Sequence, residues 1–185
     1  MASGSSGATC FTRASLAAIT TAYRVDTIML LPIINLGSAI STMVAQSKGA
    51  GEPQRARHFW RTGAVMNLVV SLLLMAVMLL FGGKLVALFG VEAEAAAIGR
   101  RFFQRISLFY VFFGLACSMR GTIEGTGRVV YSSAVSIAAL LLRIALSYLL
   151  AGAFLNMAIA YAEGLHWIFM VLCFLPFFLR KDRWI

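Results

Sequence analysis

Charged residues are scarce in this sequence. Only 12% of its 185 residues are Asp, Glu, Lys or Arg, whereas 61% are hydrophobic, and the mean hydropathy is +0.87. A soluble domain of this length cannot bury so much apolar surface. The shortage of charge therefore excludes a soluble globular protein and indicates an integral membrane protein.

Acidic residues are the scarcer of the two charge types, with 7 Asp and Glu against 16 Lys and Arg, a net charge of +9. A basic chain can indicate a nucleic-acid partner. Here, however, the basic clusters lie between apolar stretches, where positive loops meet anionic lipid head groups. We therefore expect the lipid bilayer as a partner and no nucleic acid.

Residues that form catalytic or metal sites are also few. The three cysteines, Cys10, Cys117 and Cys173, lie far apart in the sequence, so they predict neither a disulfide framework nor a metal site. No paired carboxylates and no Ser-His-Asp set are evident. The Gly-Ala-Gly at 49–51 follows an apolar helix and lacks the GK[ST] of a phosphate loop. We therefore predict no enzyme activity, no metal and no cofactor.

Long apolar stretches are what the sequence does contain. A helix needs about 20 mostly apolar residues to cross the bilayer, and alternating strand patterns are absent. The qualifying stretches are 25–46, 62–82, 98–119, 129–151 and 158–179. They predict an all-α, polytopic bundle of about five transmembrane helices over residues 15–185, after a short polar segment at 1–14. The first helix is expected to begin near Ser15 and to kink at Pro32.

The positions of Lys and Arg predict the orientation of the bundle. Nine of them lie in the loop 48–61, the loop 120–128 and the tail 180–183, which an even number of spans separates from one another. The positive-inside rule makes that side cytoplasmic. With five spans, the N-terminus is then outside and the C-terminus cytoplasmic, and we expect a plasma membrane, the inner membrane of a bacterium.

Polar residues of the first apolar stretch share one face of a helix. At 100° per residue they fall within about 80° of one another. They are Arg24, Asn35, Ser38, Thr42 and Gln46. Such a stripe either lines a polar cavity or packs against a neighbouring helix through small residues and hydroxyl hydrogen bonds. The sequence leaves both alternatives open. For Asn67 and Ser71, which share a face of the second helix, we expect packing.

Arg143 lies near the middle of the fourth apolar stretch. An arginine at that depth must face the bundle interior or water, and it must bond carbonyls or a carboxylate. Glu124 lies near the cytoplasmic end and Asp26 near the outer end, so we expect no carboxylate partner at the depth of Arg143. Three serines share its helix face: Ser132, Ser136 and Ser147. A structural role between helices and a role in a substrate or ion pathway both remain open.

Three stretches carry a family resemblance. After Pro32, "GSAISTMVAQSKGAGEPQRARHFWRTG" resembles the second helix of a lobe, with its following cytoplasmic loop, in the multidrug and toxic compound extrusion (MATE) transporters. "FYVFFGLACSMRGTIEGTGR" is similar to the segment of the C-terminal lobe that ends in Arg-Gly and a second glycine, and "LLRIALSYLLAGAF" is similar to the next helix. The motif residues are Pro32, Gln46, Gly49, Gly51, Arg55, Arg120, Gly121 and Gly127.

The resemblance covers residues 15–183 and implies the last five helices of a transporter that has two six-helix lobes. It also implies a partner, either the missing N-terminal lobe or a second copy of this chain. In some members an aspartate lies about three turns before the Arg-Gly motif. Here that region reads Ser107-Leu108-Phe109-Tyr110, so that cation site is not transferred.

The implied function is an antiporter in which Na⁺ or H⁺ drives the export of small cationic amphipathic drugs. The candidate residues of the substrate or ion pathway are Arg24, Asn35, Ser38, Thr42, Gln46, Ser136 and Arg143. Two alternatives remain. One is a flippase of the same superfamily for lipid-linked oligosaccharides, and the other is a non-transporting scaffold or half-transporter that needs a partner.

Overall fold

The structure is a computed structural model. It describes the backbone of residues 4–87, 93–154 and 158–179 and the side chains of residues 20–85, 97, 99–150 and 158–179. The helices are α1 (Gly4–Gly49), α2 (Pro53–Ala87), α3 (Ala93–Ile106), α4 (Tyr110–Gly125), α5 (Val129–Phe154) and α6 (Ala158–Leu179). A 3-10 turn, Ser107–Phe109, joins α3 to α4. No strand occurs in these backbone ranges, and the predicted all-α class is confirmed.

Five segments are long and apolar enough to cross a membrane. They are Thr20–Gly49, Pro53–Leu85, Gly99–Gly125, Val129–Leu150 and Ala158–Leu179. The predicted number of spans is therefore confirmed. The third span passes through the 3-10 turn and is the most buried of the five, because α4 packs against α1, α2 and α6.

Several helix boundaries differ from the predicted ones. The first helix begins at Gly4 rather than near Ser15, since residues 4–14 contain no proline that would stop it. The second begins at Pro53, nine residues before its apolar stretch, because proline fits the first turn of a helix, where no backbone donor is needed. Pro32 lies inside α1, and its kink stays a prediction. The basic tail at 180–183 lies outside the described residues.

Close contact between α1 and α4 depends on glycine. A Cβ built on Gly121 would lie 2.2 Å from the backbone oxygen of Gly37, and one on Gly125 would lie 2.5 Å from the backbone oxygen of Ser41. Real Cβ atoms do not approach oxygens so closely, so only glycine permits this separation of the two helices. Small residues at such contacts are typical of membrane bundles. The glycine of the Arg-Gly motif therefore has a packing role.

The Gly-Ala-Gly turn ends α1 with a left-handed residue. Gly51 has φ +73°. The N–H of Gly51 donates to the carbonyl of Lys48 at 3.0 Å, and the N–H of Glu52 donates to the carbonyl of Ser47 at 2.9 Å, which satisfies carbonyls at the helix end. The Nζ of Lys48 donates to the carbonyl of Thr126 at 2.8 Å. This bond places the two predicted cytoplasmic loops, 48–61 and 120–128, at the same end of the bundle.

Candidate functional site

A cavity of about 460 Å³ lies between α1, α4, α5 and α6. Its apolar lining includes Ile34, Phe113, Leu140 and Met170. Its polar lining includes Ser38, Cys117, Arg120, Glu124, Ser136 and His166. A mostly apolar pocket of this size with a few polar groups is typical of small-molecule sites. Of the four helices around it, α5 packs mainly against α6.

At the end of the cavity nearest the two turns, the charges are balanced. The Nε of Arg120 lies 2.7 Å from Oε1 of Glu124, one helical turn along α4. The hydroxyl of Ser132 donates to the same carboxylate oxygen at 2.9 Å. This end of the cavity therefore presents a neutral ion pair and joins α4 to α5.

An ion pair joins α5 to α6 within their apolar spans. The Nη2 of Arg143 lies 2.8 Å from Oε2 of Glu163. The hydroxyl of Tyr23 accepts a hydrogen bond from Arg143 and donates to Glu163 at 3.2 Å. The expectation that Arg143 has no carboxylate partner is therefore wrong. Sequence reasoning missed Glu163, although an acidic residue within an apolar span is itself a signal of function.

A second carboxylate, that of Asp26, is buried without a cation. Its residue is 3% exposed, and the hydroxyl of Tyr110 donates to its Oδ1. Among the side chains that the structure describes, no basic group lies within 4 Å of Asp26. Asp26, Glu163 and Arg143 together carry two negative charges and one positive charge when ionised. We call these residues with Tyr23 and Tyr110 the internal network.

The internal network adjoins the cavity. Phe113 lies one turn along from Tyr110, Leu140 one turn before Arg143, and His166 one turn after Glu163, and all three line the cavity. A charge in the network therefore acts on a bound molecule across about one helical turn of a medium of low dielectric constant, where electrostatic effects are strong.

The predicted polar stripe of α1 lies on the surface of the described bundle. All five of its residues are exposed: Arg24, Asn35, Ser38, Thr42 and Gln46. The hydroxyls of Ser38 and Thr42 bond carbonyls of α1 itself, and none of the five packs inside the described helices. Ser38 alone lines the cavity. The stripe thus leaves a polar helix face uncovered and reaches the cavity at Ser38.

The serine face of α5 does turn towards the bundle. Ser136 lines the cavity, and its hydroxyl donates to the carbonyl of Ser132 at 2.9 Å. The hydroxyl of Ser147 donates to the carbonyl of Arg143 at 2.8 Å. On α2, the expected packing of Asn67 is confirmed, since its Nδ2 donates to Oγ of Ser118 at 2.8 Å. The three hydroxyl or amide donors of Ser136, Ser147 and Asn67 are thus hydrogen-bonded within the bundle.

The motif residues at the loop end shape the backbone. Arg55 is exposed and pairs with Glu52 at 3.1 Å. Gly127, like Gly51, has a positive φ, +86°, which glycine adopts without strain. Of the motif residues, Arg120 and Gly121 also line the cavity. Gln46 is exposed, and its carbonyl accepts from the N–H of Ala50 at 3.0 Å.

Comparison with known proteins identifies relatives of this chain. The MatE family model matches residues 10–149. The probable multidrug resistance protein YoeA of Bacillus subtilis (strain 168) is 30% identical over 110 residues, which cover 60% of this chain and 24% of that protein. Protein DETOXIFICATION 14 of Arabidopsis thaliana is 34% identical over 107 residues, 57% of this chain and 22% of that protein. The chain thus spans about a quarter of the length of these relatives.

The fold is likewise that of part of a known structure. The inward-facing conformation of a multidrug resistance MATE family transporter of the MOP superfamily superimposes with a TM-score of 0.80 at 19% identity, over 93% of this chain and 40% of that one. The five spans therefore take the arrangement of part of such a transporter.

Proposed function

This chain belongs to the MatE family, and from that premise we propose that it forms part of an antiporter that exports small cationic amphipathic compounds in exchange for protons. The observation that carries the proposal is the charge of the internal network, which holds two buried carboxyl groups but one arginine, paired with Glu163. One monovalent cation is needed to neutralise it.

The cavity supports a cationic amphipathic substrate. Its walls offer apolar surface for the body of such a compound, and the ring of Phe113 offers an aromatic face for its positive charge. The basic group of Arg120 does not repel it strongly, because Glu124 pairs with that arginine at 2.7 Å. The net negative charge of the ionised network attracts it.

Within the network, we assign the coupling ion to Asp26. Glu163 is already neutralised by Arg143, whereas an ionised Asp26 is buried with only a tyrosine hydroxyl as donor. Burying an uncompensated carboxylate costs several kcal/mol, so binding a cation there is favourable. Sodium needs several oxygens to replace its hydration shell. A proton needs one carboxylate oxygen, and this favours H⁺ over Na⁺.

Exchange follows from competition for one negative charge. With Asp26 ionised, the network favours a cation in the cavity. When a proton binds Asp26, the attraction is lost and the compound is released. Five titratable groups lie around this carboxylate: Tyr23 on α1 itself, Tyr110 on α4, Arg143 on α5, and Glu163 and His166 on α6. A second lobe, or a second copy of this chain, would cover the exposed stripe of α1 and provide alternating access.

For the orientation we propose that the loops 48–61 and 120–128 face the cytoplasm, with the N-terminus outside and the C-terminus inside, in a plasma membrane such as the bacterial inner membrane. The shared position of the two basic loops at one end of the bundle supports this.

Binding of ethidium, a cationic amphipathic dye, to the purified chain in detergent tests the proposal. We expect the dye to bind and to release protons into a weakly buffered solution, as recorded by a pH indicator. The Asp26→Asn variant, whose uncharged amide imitates the protonated carboxyl group, should bind the dye more weakly and release no protons. Glu52→Gln, which removes an exposed loop carboxylate, is the matched control and should behave like the unmodified chain. Displacement of the dye by Na⁺ at constant pH would contradict proton coupling.

A further inference from the structure

His166 lines the cavity at the end beside the internal network, since it lies one turn after Glu163 on α6. Its side chain is half-buried, and the Nδ1 of its ring is buried without a hydrogen bond of good geometry. Neither ring nitrogen bonds another side chain among those that the structure describes. Buried polar atoms of side chains usually have a partner. The ring therefore keeps hydrogen-bonding capacity at the edge of the cavity.

The other polar groups of the cavity wall are engaged within the protein, apart from a cysteine thiol, which bonds weakly. The hydroxyls of Ser38 and Ser136 donate to carbonyls of their own helices. Arg120 and Glu124 pair with each other at the loop end of the cavity. At the end beside the internal network, the imidazole of His166 is thus the strong hydrogen-bonding group that a bound molecule meets.

Packing on both sides of His166 fixes the direction of its ring. The next residue, Trp167, is 2% exposed, and its ring lies against that of Phe113 with the ring centres 4.9 Å apart. Two residues before His166, a Cβ built on Gly164 would lie 2.4 Å from the ring of Phe109. The helix α6 cannot turn about its axis without losing these contacts, so His166 stays at the cavity wall.

The contact between Trp167 and Phe113 also brings the aromatic wall of the cavity close to His166. Phe113 and His166 both line the cavity, and Trp167, which follows His166 in the sequence, touches the ring of Phe113. Phe113 is the residue whose face we assign to the positive charge of a substrate. The N–H groups of a cation on that face therefore lie near the His166 ring.

The ring of His166 can offer an acceptor to such N–H groups. Histidine is ordinarily uncharged at pH 8, and one ring nitrogen is then a donor and the other an acceptor. The backbone carbonyl of Glu163 interacts with the ring as an acceptor. This favours the proton on Nδ1, the nitrogen nearer the helix backbone. The Nε2 then carries a lone pair that can accept a hydrogen bond.

We propose that His166 selects, among cationic amphipathic compounds, those that carry an N–H donor, because its Nε2 accepts a hydrogen bond from that donor while the cation lies on the face of Phe113. This selection rests on the proposed function, since it takes the cavity as the substrate site, and it narrows the substrates to compounds with amino groups. A fully alkylated cation of the same shape leaves the lone pair of Nε2 without a donor, and an unpaired buried acceptor costs binding free energy.

Two phenothiazinium dyes with the same ring system and the same charge test this selection. Thionine carries free amino groups, and methylene blue carries dimethylamino groups in their place. In equilibrium dialysis of the purified chain in detergent at pH 8, we expect His166→Phe to weaken thionine binding about tenfold and methylene blue binding by about twofold at most. His166→Gln should keep most of the affinity for thionine, because its side-chain oxygen can replace Nε2 as the acceptor.

The matched control is His58→Phe, the same change at the other histidine of the sequence. His58 is exposed and does not line the cavity, so this variant should bind both dyes as the unmodified chain does. An equal loss of both dyes in His166→Phe, or no loss of thionine, would overturn the selection and leave the proposed function intact. If neither dye binds the unmodified chain, the proposed cationic substrate is wrong, and the role of His166 is wrong with it.

A second measurement needs no change at His166 and decides if His166→Phe does not fold. In the His58→Phe chain with isotopically labelled histidine, the ring nitrogens seen by NMR belong to His166. We expect the Nε2 resonance to shift much further when thionine binds than when methylene blue binds, because only thionine donates a hydrogen bond to it. Equal shifts with the two dyes would overturn the selection.

Discussion

The guanidinium of Arg143 on α5 lies 2.8 Å from the carboxylate of Glu163 on α6. Both residues lie inside apolar spans, where a single uncompensated charge is costly. The hydroxyl of Tyr23 bonds both partners, so the pair also attaches α1 to the other two helices. Because Arg143 pairs with Glu163, Asp26 is the carboxyl group of the network that has no cation beside it. The proposed coupling depends on this difference between the two carboxyl groups.

Removing one partner of this ion pair should destabilise the bundle. We expect Arg143→Gln to lower the free energy of unfolding by about 2–3 kcal/mol, because it leaves Glu163 uncompensated. That is below the full cost for a buried pair, since the Arg143 side chain is 28% exposed. The double variant Arg143→Gln with Glu163→Gln should recover most of the loss. Unfolding in mixed micelles gives the values, and additive losses would contradict direct pairing.

The hydroxyl of Tyr110 should contribute to stability through Asp26. We expect Tyr110→Phe to lower the free energy of unfolding by about 1–3 kcal/mol, because the buried carboxylate then loses its donor. In the Asp26→Asn background the same change should have a smaller effect, since an uncharged amide demands less from its donor. Equal effects in the two backgrounds would show that Tyr110 acts by packing alone.

Gly121 should tolerate no larger residue. Gly121→Ala places a methyl group 2.2 Å from the backbone oxygen of Gly37, so α1 and α4 must separate, and we expect a loss of about 2–3 kcal/mol. Gly49→Ala is the matched control, because a Cβ there meets nothing within 4 Å. Thermal unfolding of the two variants decides, and similar melting temperatures would contradict the close contact.

The turn after α1 should require the left-handed conformation. Gly51 has φ +73° with open space around it, so strain rather than a clash opposes a side chain. We expect Gly51→Ala to cost about 1–2 kcal/mol. Gly51→Asn should cost less, because asparagine adopts this conformation more readily. If both variants are as stable as the unmodified chain, the turn has another conformation in the membrane.

A fifth measurement concerns the cavity wall. Phe113→Ala removes the aromatic face that we assign to the positive charge of the substrate, and we expect ethidium to bind about tenfold more weakly, a loss typical of a buried cation–π contact. Phe112→Ala is the matched control, because Phe112 is exposed and does not line the cavity. Equal losses in both variants would place the dye elsewhere.

Much of the fold could be predicted from the sequence, because spans and turns depend on residues that are close together in the sequence. The five spans are runs of apolar residues, and the end of α1 is set by the turn at Gly49 to Gly51. Helix ends were predicted less well. The polar start of the chain continues α1, and the first two turns of α2 are polar, because a helix can extend beyond the hydrocarbon wherever nothing interrupts its hydrogen bonds.

The candidate site could be predicted only in part, because its residues are far apart in the sequence. Arg143 was recognised from its depth, but its partner was not, since the sequence does not show which helix faces meet. Asp26 and Tyr110 are 84 residues apart, and Tyr23 and Arg143 are 120 apart. The polar stripe of α1 was placed correctly on one face, yet that face proved to be exposed.

The sequence by itself thus determined the membrane setting, the number of spans, the turns and the family resemblance, because hydropathy and backbone preference act over a few residues. The tertiary structure alone decided that Glu163 neutralises Arg143, that Asp26 lies buried beside Tyr110, and that Gly121 brings α4 against α1. These contacts exist only once the rotation and depth of each helix are fixed by packing against its neighbours.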